Sequence, residues 1–505
     1  MTLWLRPLSR IRVPFLASAG RLHFPLGARH DLSGESGLRP YPPSRALSSV
    51  NVKWLWPVDR EALSFHLIHN LGSRMGLFHL TLNAKNPLKT EDVEEALFHL
   101  QRKNPTMRVD LRLRENTWWF CDQEEKKVDF KMLSEDTNSM EDFHRLCEQG
   151  FPDGNTWVFR MIPRQKDAPC AMPEVKEDFP YQYDLHMTGH HGLSDGLSVS
   201  LLVKRMVELL NDVILGRHIS DELTSRFLPR EELWEIESRI TKKLEEDPRR
   251  HDYVRETIPD STPLLLQAFP RPSVDRVTSR ILSRTVDLEA TQNFQKLCKA
   301  HGVTINSAFT AAINTAIVRL VQRSGISQQS YRIASNHLVS ALRYLKQTPP
   351  DIMGGYALFL SHVSRMNHTS NFWEYSKEVH RELKGALQSE LPLEQKMACV
   401  MAQPNLAEDW ARNPPKVVHD YGITNIAHFP MPERRADDQV LVTNVSSTAM
   451  VHKYIHMVLF LVYTFRGRSN YAISYATDYI ADETARMLAD EVMSVYREVS
   501  DLKSI

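Results

Sequence analysis

The octapeptide GHHGLSDG, Gly189 to Gly196, carries two catalytic patterns on the same letters. Read as G-x-S-x-G, its last five residues form the elbow that presents a nucleophilic serine, here Ser194. Read as H-H-x-x-x-D-G, it makes His191 the reacting side chain and leaves the serine as a spacer. The local setting of the octapeptide suits both readings, and what separates them lies in distant segments around Asn306, Gly354 and Asn425. Before it, Tyr181, Tyr183, Leu185 and Met187 alternate with polar residues, the period of a half-buried strand. After it, Leu197, Leu201, Leu202, Met206, Leu209, Leu210 and Val213 recur at helical spacing to about Leu215. The octapeptide is therefore expected at a strand-to-helix turn, with Gly192 and Gly196 allowing the backbone to turn sharply.

Upstream, Gly76 to Leu82 alternates like a strand, Lys89 to Lys103 reads as an amphipathic helix, and a strand pair surrounds Trp118, Trp119 and Phe120. Residues 216–275 change character. Glu231 to Arg250 reads as a highly charged, solvated helix, and the Pro-punctuated stretch after it suggests a connector. The second half gives a strand over Val274 to Leu288 and helices over Ala290 to His301 and Asn306 to Arg323. Strands follow at Ser330 to Ser335 and Tyr356 to Val363, then helices at Trp373 to Gln388 and Pro392 to Met401. Gly422 to His428, Gln439 to Asn444 and Ile455 to Phe465 are expected to close the second sheet. Tyr471 to Tyr475 and a helix over Asp482 to Leu502 finish the chain. An α/β (α+β) architecture in two lobes follows, one over residues 52–215 and one over 276–505, joined by the connector.

The 62 basic and 62 acidic residues cancel, so no global field recruits nucleic acid. Five scattered cysteines form no C-x-x-C pair and fit a reducing compartment rather than a disulfide framework. No run approaches the roughly 18 apolar residues of a membrane span. Residues 1–50 hold seven arginines, no lysine and only Asp31 and Glu35 as acids. That composition resembles a mitochondrial transit peptide, with an unprocessed leader and a cytoplasmic protein as the alternative.

For the serine reading, Asp420 with His428 or His452 would complete a hydrolytic triad, yet no glycine-rich oxyanion segment precedes Ser194. A metal reading gathers His186, His190, His191 and Asp195, but the glycines and the alternation argue against the helix that would align them, and no metal is expected. In the histidine reading, neutral His191 takes a proton from an attacking hydroxyl or amine, while His190 points elsewhere.

The H-H-x-x-x-D-G stretch resembles the active-site motif of the CoA-dependent acyltransferase superfamily. That group spans chloramphenicol acetyltransferase, alcohol acetyltransferases and the condensation domains of nonribosomal peptide synthetases. Asn104-Pro105-Thr106-Met107-Arg108, Gly302 to Ser307 with Ala311-Ala312, Ala341-Leu342-Arg343 with Gly354-Gly355-Tyr356, and Gly422-Ile423-Thr424-Asn425 agree with it in order. Departures are Thr424 for a serine, Ala427 for a glycine, and the missing D-F-G-W-G motif.

The resemblance implies two chloramphenicol-acetyltransferase-like lobes with a tunnel between them, and acyl transfer to a small-molecule alcohol or amine. His191 is the implied base, Asp195 and Gly196 belong to the catalytic motif, and His190, Thr424 and Asn425 are candidates for contacting substrate. Thr424 and Asn425 are the candidate oxyanion donors, and Arg343 the candidate ion-pair partner of Asp195. No carrier-protein domain accompanies these motifs, so free acyl-CoA is expected as co-substrate, with no bound cofactor, on a monomer. A non-catalytic member of the fold that binds a CoA thioester or a protein is the alternative.

Overall fold

The computed structural model describes residues 52–501 apart from 124–127, 150, 152–155, 228–229, 349–350, 368–369, 403–415, 433 and 455. The arginine-rich leader therefore lies outside the described residues.

The chain opens with β1 (Lys53–Pro57) and α1 (Arg60–Asn70), whose first turn is capped by Asp59, its Oδ1 accepting from Ala62 N at 2.9 Å. Then come β2 (Leu77–Ala84), α2 (Thr90–Lys103), β3 (Val109–Arg114), β4 (Thr117–Asp122), β5 (Asp129–Met132) and α3 (Ser139–Glu148). β6 (Trp157–Pro163) and β7 (Tyr181–Gly189) lead through the octapeptide into α4 (Gly196–Ile214). α5 (Glu231–Glu246), α6 (Pro248–Glu256) and α7 (Leu264–Ala268) occupy the expected connector. The second half runs β8 (Ser279–Thr285), α8 (Leu288–Ala300), α9 (Ile305–Arg323), β9 (Ser330–Ser340), β10 (Ala357–Asn367), α10 (Phe372–Gln388) and α11 (Leu391–Ala402). It ends with β11 (Tyr421–His428), β12 (Val440–Thr448), β13 (Val458–Phe465), β14 (Arg468–Ala476) and α12 (Asp482–Ser500).

Three sheets form among the described residues: β1-β4-β3, the five-stranded β12-β2-β7-β6-β5 and the six-stranded β10-β9-β11-β13-β14-β8. The five-stranded sheet buries Phe78, Leu80 and Leu82 against Leu97 and Leu100 of α2 and Leu202 and Met206 of α4. At about 25 cal/mol per Å² of apolar surface, such burial is what holds each lobe together. The six-stranded sheet does the same against α8, α9, α10 and α12, through Phe294, Phe309, Val379 and Val492.

Two expectations need correction. Gln439 to Asn444 does not close the second sheet. As β12 it crosses to the first and pairs antiparallel with β2, Val440 opposite Ala84 through Thr448 opposite Leu77. Its alternating Val440, Val442 and Val445 fill the first lobe's core, a destination that strand periodicity alone does not specify. The charged stretch after Glu231 is a helix solvated on one face only. Leu233, Ile236, Ile240 and Leu244 make one buried stripe on the second lobe's core, and Pro248 starts a separate helix. Some of its charges pair with α11 and the residue before it: Arg239 with Glu390 at 2.7 Å, and Glu237 with Lys396 at 2.9 Å.

Candidate active site

The octapeptide is a strand-to-helix turn. β7 ends at Gly189, His191 to Leu193 make one 3₁₀ turn, and α4 starts at Gly196. Asp195 caps that helix, its Oδ1 accepting from Ser198 N at 2.9 Å. The backbone N–H of Tyr356 also serves the Asp195 carboxyl, which burial pushes above its ordinary value against these hydrogen bonds. Arg343 is not its partner. Among the described residues Asp195 makes no ion pair, and Arg343 lies in the lining of a second-lobe cavity, hydrogen-bonded to Tyr344. Backbone donors can hold a buried carboxylate in place of an arginine.

Three elements clamp the turn. A Cβ on Gly192 would sit 2.7 Å from Ala62 Cβ, so α1 presses on it directly. A Cβ on Gly355 would sit 2.7 Å from His191 O, and Ser198 Oγ donates to Gly354 O at 3.1 Å, so the loop before β10 closes the second side. A Cβ on Gly196 would come 3.2 Å from Ile426 of β11 on the third. Gly354, Gly355 and Tyr356, far away in sequence, thus meet the octapeptide in space.

The two histidines diverge. His190 is 1% exposed; its Nδ1 accepts from Gly192 N at 3.1 Å and its Nε2 lies 3.4 Å from His66 Nδ1. Both nitrogens face protein, which places His190 inside the turn and not on a substrate surface. His191 stacks on Phe65, centroids 4.4 Å apart and planes 7° apart, with its Nδ1 buried inside the turn. Burial pushes its pKa down from the ordinary imidazole value, with backbone hydrogen bonding and Asp195 opposing, so the ring is neutral at pH 7. A neutral imidazole keeps one nitrogen lone pair and can accept a proton through it.

Ser194 is not presented as a nucleophile. It is 2% exposed, its Oγ donates to His190 O at 3.3 Å, and its φ of −155° is ordinary extended backbone. The residues nominated to serve it are engaged elsewhere. Asp420 accepts from Leu264 N at 2.6 Å and Ala334 N at 2.9 Å, and His452 Nδ1 lies 2.9 Å from Ser279 Oγ. His428 lines the second-lobe cavity. His186 does not join His190 and His191; its Nδ1 lies 3.0 Å from Asp142 Oδ2.

β11 divides the two oxyanion candidates between its faces. Thr424 is in register with Leu338 and Leu461, the face packed with Phe65 and hence on His191's side. Asn425 is on the opposite face, its Nδ2 donating to Asn306 Oδ1 at 3.3 Å and its Oδ1 accepting from Ala427 N at 2.8 Å. A bulge between Asn425 and Ala427 puts Ala427 at φ +62°, the left-handed region, which explains why glycine suits that position.

A cavity of about 1640 Å³ opens on the Asn425 side. Its lining comes from residues 295–469 and includes Asn306, Asn425 and Ala427 but not His191. Lys299, Arg343 and Lys384 bring positive charge to it; among the lining residues described the acid is Glu390, already paired with Arg239.

Sequence reasoning missed α1, which supplies Phe65, His66 and His69 around the histidine pair. The signal was present: Asp59 as cap, then Ala62, Phe65, Ile68 and His69 at helical spacing.

Comparison with known proteins agrees with this architecture. Nonribosomal peptide synthetase kk1B of Curvularia clavata is 22% identical over 258 residues, 50% of this chain and 2% of that protein. Enniatin synthase of Fusarium equiseti is 26% identical over 139 residues, 27% of this chain and 4% of that protein. The chain thus spans only a few per cent of the length of these curated relatives. Among solved structures, trichothecene 15-O-acetyltransferase from Fusarium sporotrichioides superimposes with a TM-score of 0.62 at 11% identity, covering 88% of this chain and 95% of that one. The first condensation domain of the CDA synthetase gives 0.63 at 12% identity, covering 89% and 96%. No described helix is long and apolar enough to cross a membrane. The sequence matches the Condensation domain over residues 72–395, well over half its length and spanning the octapeptide, Asn306 and Gly355: the chain belongs to the condensation-domain family, with a mixed α/β fold similar to those solved structures.

Proposed function

We propose that the chain is an acyltransferase that moves an acyl group from acyl-CoA to a hydroxyl or amine, with His191 as general base. The observation that carries this reading is His191 itself: neutral, stacked on Phe65, and held where three elements converge. In the step proposed, His191 takes the acceptor's proton as that group attacks the thioester carbonyl. The tetrahedral intermediate then expels the thiolate of CoA, which recovers the proton from His191. Thr424, on His191's side of β11, is the proposed donor to the developing oxyanion; Asn425 is reassigned to shaping the bulge.

The cationic cavity lies across β11 from His191, so what it supports is a site for the phosphate end of the donor, with the thioester reaching to Thr424's side. Its volume exceeds the several hundred Å³ of ordinary small-molecule sites, which suits an extended ligand. The leader's composition supports mitochondrial import, which sequencing the mature N-terminus would test: a start well inside the chain is expected, and an intact Met1 contradicts it.

The reaction class is tested by measuring free-thiol release from a panel of acyl-CoAs with alcohol and amine acceptors. Release that depends on acceptor is expected. Release that is indifferent to acceptor, or none with any acyl-CoA, contradicts the proposal.

A further inference from the structure

On the far face of the five-stranded sheet, away from α2 and α4, α3 carries Ser139 and Asp142 three residues apart on one helical face. Beneath them β7 presents His186. His186 Nε2 lies 3.2 Å from Ser139 Oγ, and His186 Nδ1 lies 3.0 Å from Asp142 Oδ2. His186 and Asp142 are 1% and 3% exposed, while Ser139 is half-buried and lines a separate cavity of about 440 Å³. Phe143 packs on the imidazole, centroids 5.2 Å apart, and Arg145 fixes Asp142 from outside.

We propose that Ser139, His186 and Asp142 form a second nucleophilic centre, one that hydrolyses short-chain carboxylic esters bound in this cavity. The distances are those of a nucleophile, a base and the group that orients the base. With Asp142 accepting from Nδ1–H, the lone pair at Nε2 faces the serine. Burial and the neighbouring His79 of β2, its ring 5.2 Å away, push the His186 pKa below its ordinary value although Asp142 and Asp184 oppose them, so the base is neutral at pH 7. The hydroxyl of Ser139 also reaches Asp184, so reaction requires its proton to turn to His186. Donors for an oxyanion are at hand. The Asn138 side chain takes Glu141 N at 3.2 Å and its carbonyl takes Asp142 N at 3.0 Å, which leaves the N–H groups of Ser139 and Met140 at the start of α3. The cavity is polar and small, lined by His79, Glu135, Thr137, Arg164, Asp184 and Asn444 among others, which fits a short acyl group.

The step balances without further reagents than water. Ser139 Oγ bonds to the ester carbonyl carbon while its proton passes to His186 Nε2. The intermediate collapses, the carbon–oxygen bond to the alcohol breaks, and the alkoxide takes that proton. Water then attacks the acyl-serine, passing a proton through His186 back to Ser139 Oγ. The net change is ester plus water to acid plus alcohol.

The full chain treated with a fluorophosphonate and mapped by mass spectrometry should carry an adduct on Ser139. Ser139→Ala should lose both this adduct and p-nitrophenyl acetate hydrolysis, whereas His191→Ala should label like wild type. His186→Gln, with folding checked by circular dichroism, should label about 100-fold more slowly. Because that variant removes a buried side chain, the wild-type labelling rate against pH is a second readout. It should rise through a midpoint below 6.5 and then level. A folded wild type that takes no adduct, an adduct at Ser194 or another residue alone, or a flat pH profile overturns the proposal.

Discussion

The imidazole of His191 and the hydroxyl of Ser194 are three residues apart, and what separates them chemically is where their hydrogen bonds go. Ser194 donates into the backbone of its own turn, while His191 lies against Phe65 as a neutral imidazole with one nitrogen lone pair to offer. Because burial lowers the His191 pKa, the base stays in its working form below the usual imidazole range. The sign follows: kcat/KM should be flat through neutrality and fall on acidification with a midpoint below 6.5. A pH–rate profile whose acid limb centres above 6.5 would contradict this assignment. At Ala427 the left-handed backbone costs an alanine about 1 kcal/mol, partly offset by glycine's greater freedom when unfolded. Ala427→Gly should therefore stabilise by about 0.5 kcal/mol, read as a small rise in melting temperature; a fall would show that the alanine side chain contributes packing.

Among the elements, the octapeptide's strand-to-helix setting was legible because period two gives way to helical period across two glycines. α2, α10 and α12 were equally plain from their helical patterning, and α9 from its run of small residues. What was not legible is pairing. β12 reads as a strand, but its place beside β2 depends on a partner more than 350 residues away, and period says nothing about which sheet receives it. The stripe of α5 was hidden by counting its charges instead of tracking Leu233, Ile236, Ile240 and Leu244 around the helix. Of the candidate site residues, His191, Asp195 and Gly196 converge because neighbours in a turn must. Arg343 failed because nothing local ties it to Asp195. Gly355 is a test of the convergence: its Cβ would meet His191 O at 2.7 Å without any demand for positive φ. Gly355→Ala should lower turnover at least 10-fold while melting within a few degrees of wild type. Unchanged turnover would show that the loop does not position His191.

For the whole molecule, two lobes stitched by β12 enclose many histidines that are neutral when folded. Burial depresses His419 to about 4 and His456 to about 3. The unfolded chain binds protons at these sites near pH 6.5 and the folded one does not, so stability is full above 6.5 and is lost as pH falls towards 4. Melting temperature should drop steadily from pH 7 to pH 5; a constant or rising value would mean these groups are not held neutral. At the same scale, the cationic cavity predicts that Lys299→Ala with Lys384→Ala raises KM for acyl-CoA about 5- to 10-fold with little change in kcat, measured by steady-state kinetics. An unchanged KM would place the donor elsewhere. The central claim, that the octapeptide acts through its histidine, is tested most directly by thiol release from acyl-CoA in wild type, His191→Ala and Ser194→Ala. Loss of about 100-fold or more in His191→Ala, with Ser194→Ala within a few-fold of wild type, is the predicted result. Release that survives His191→Ala but is abolished by Ser194→Ala would contradict it.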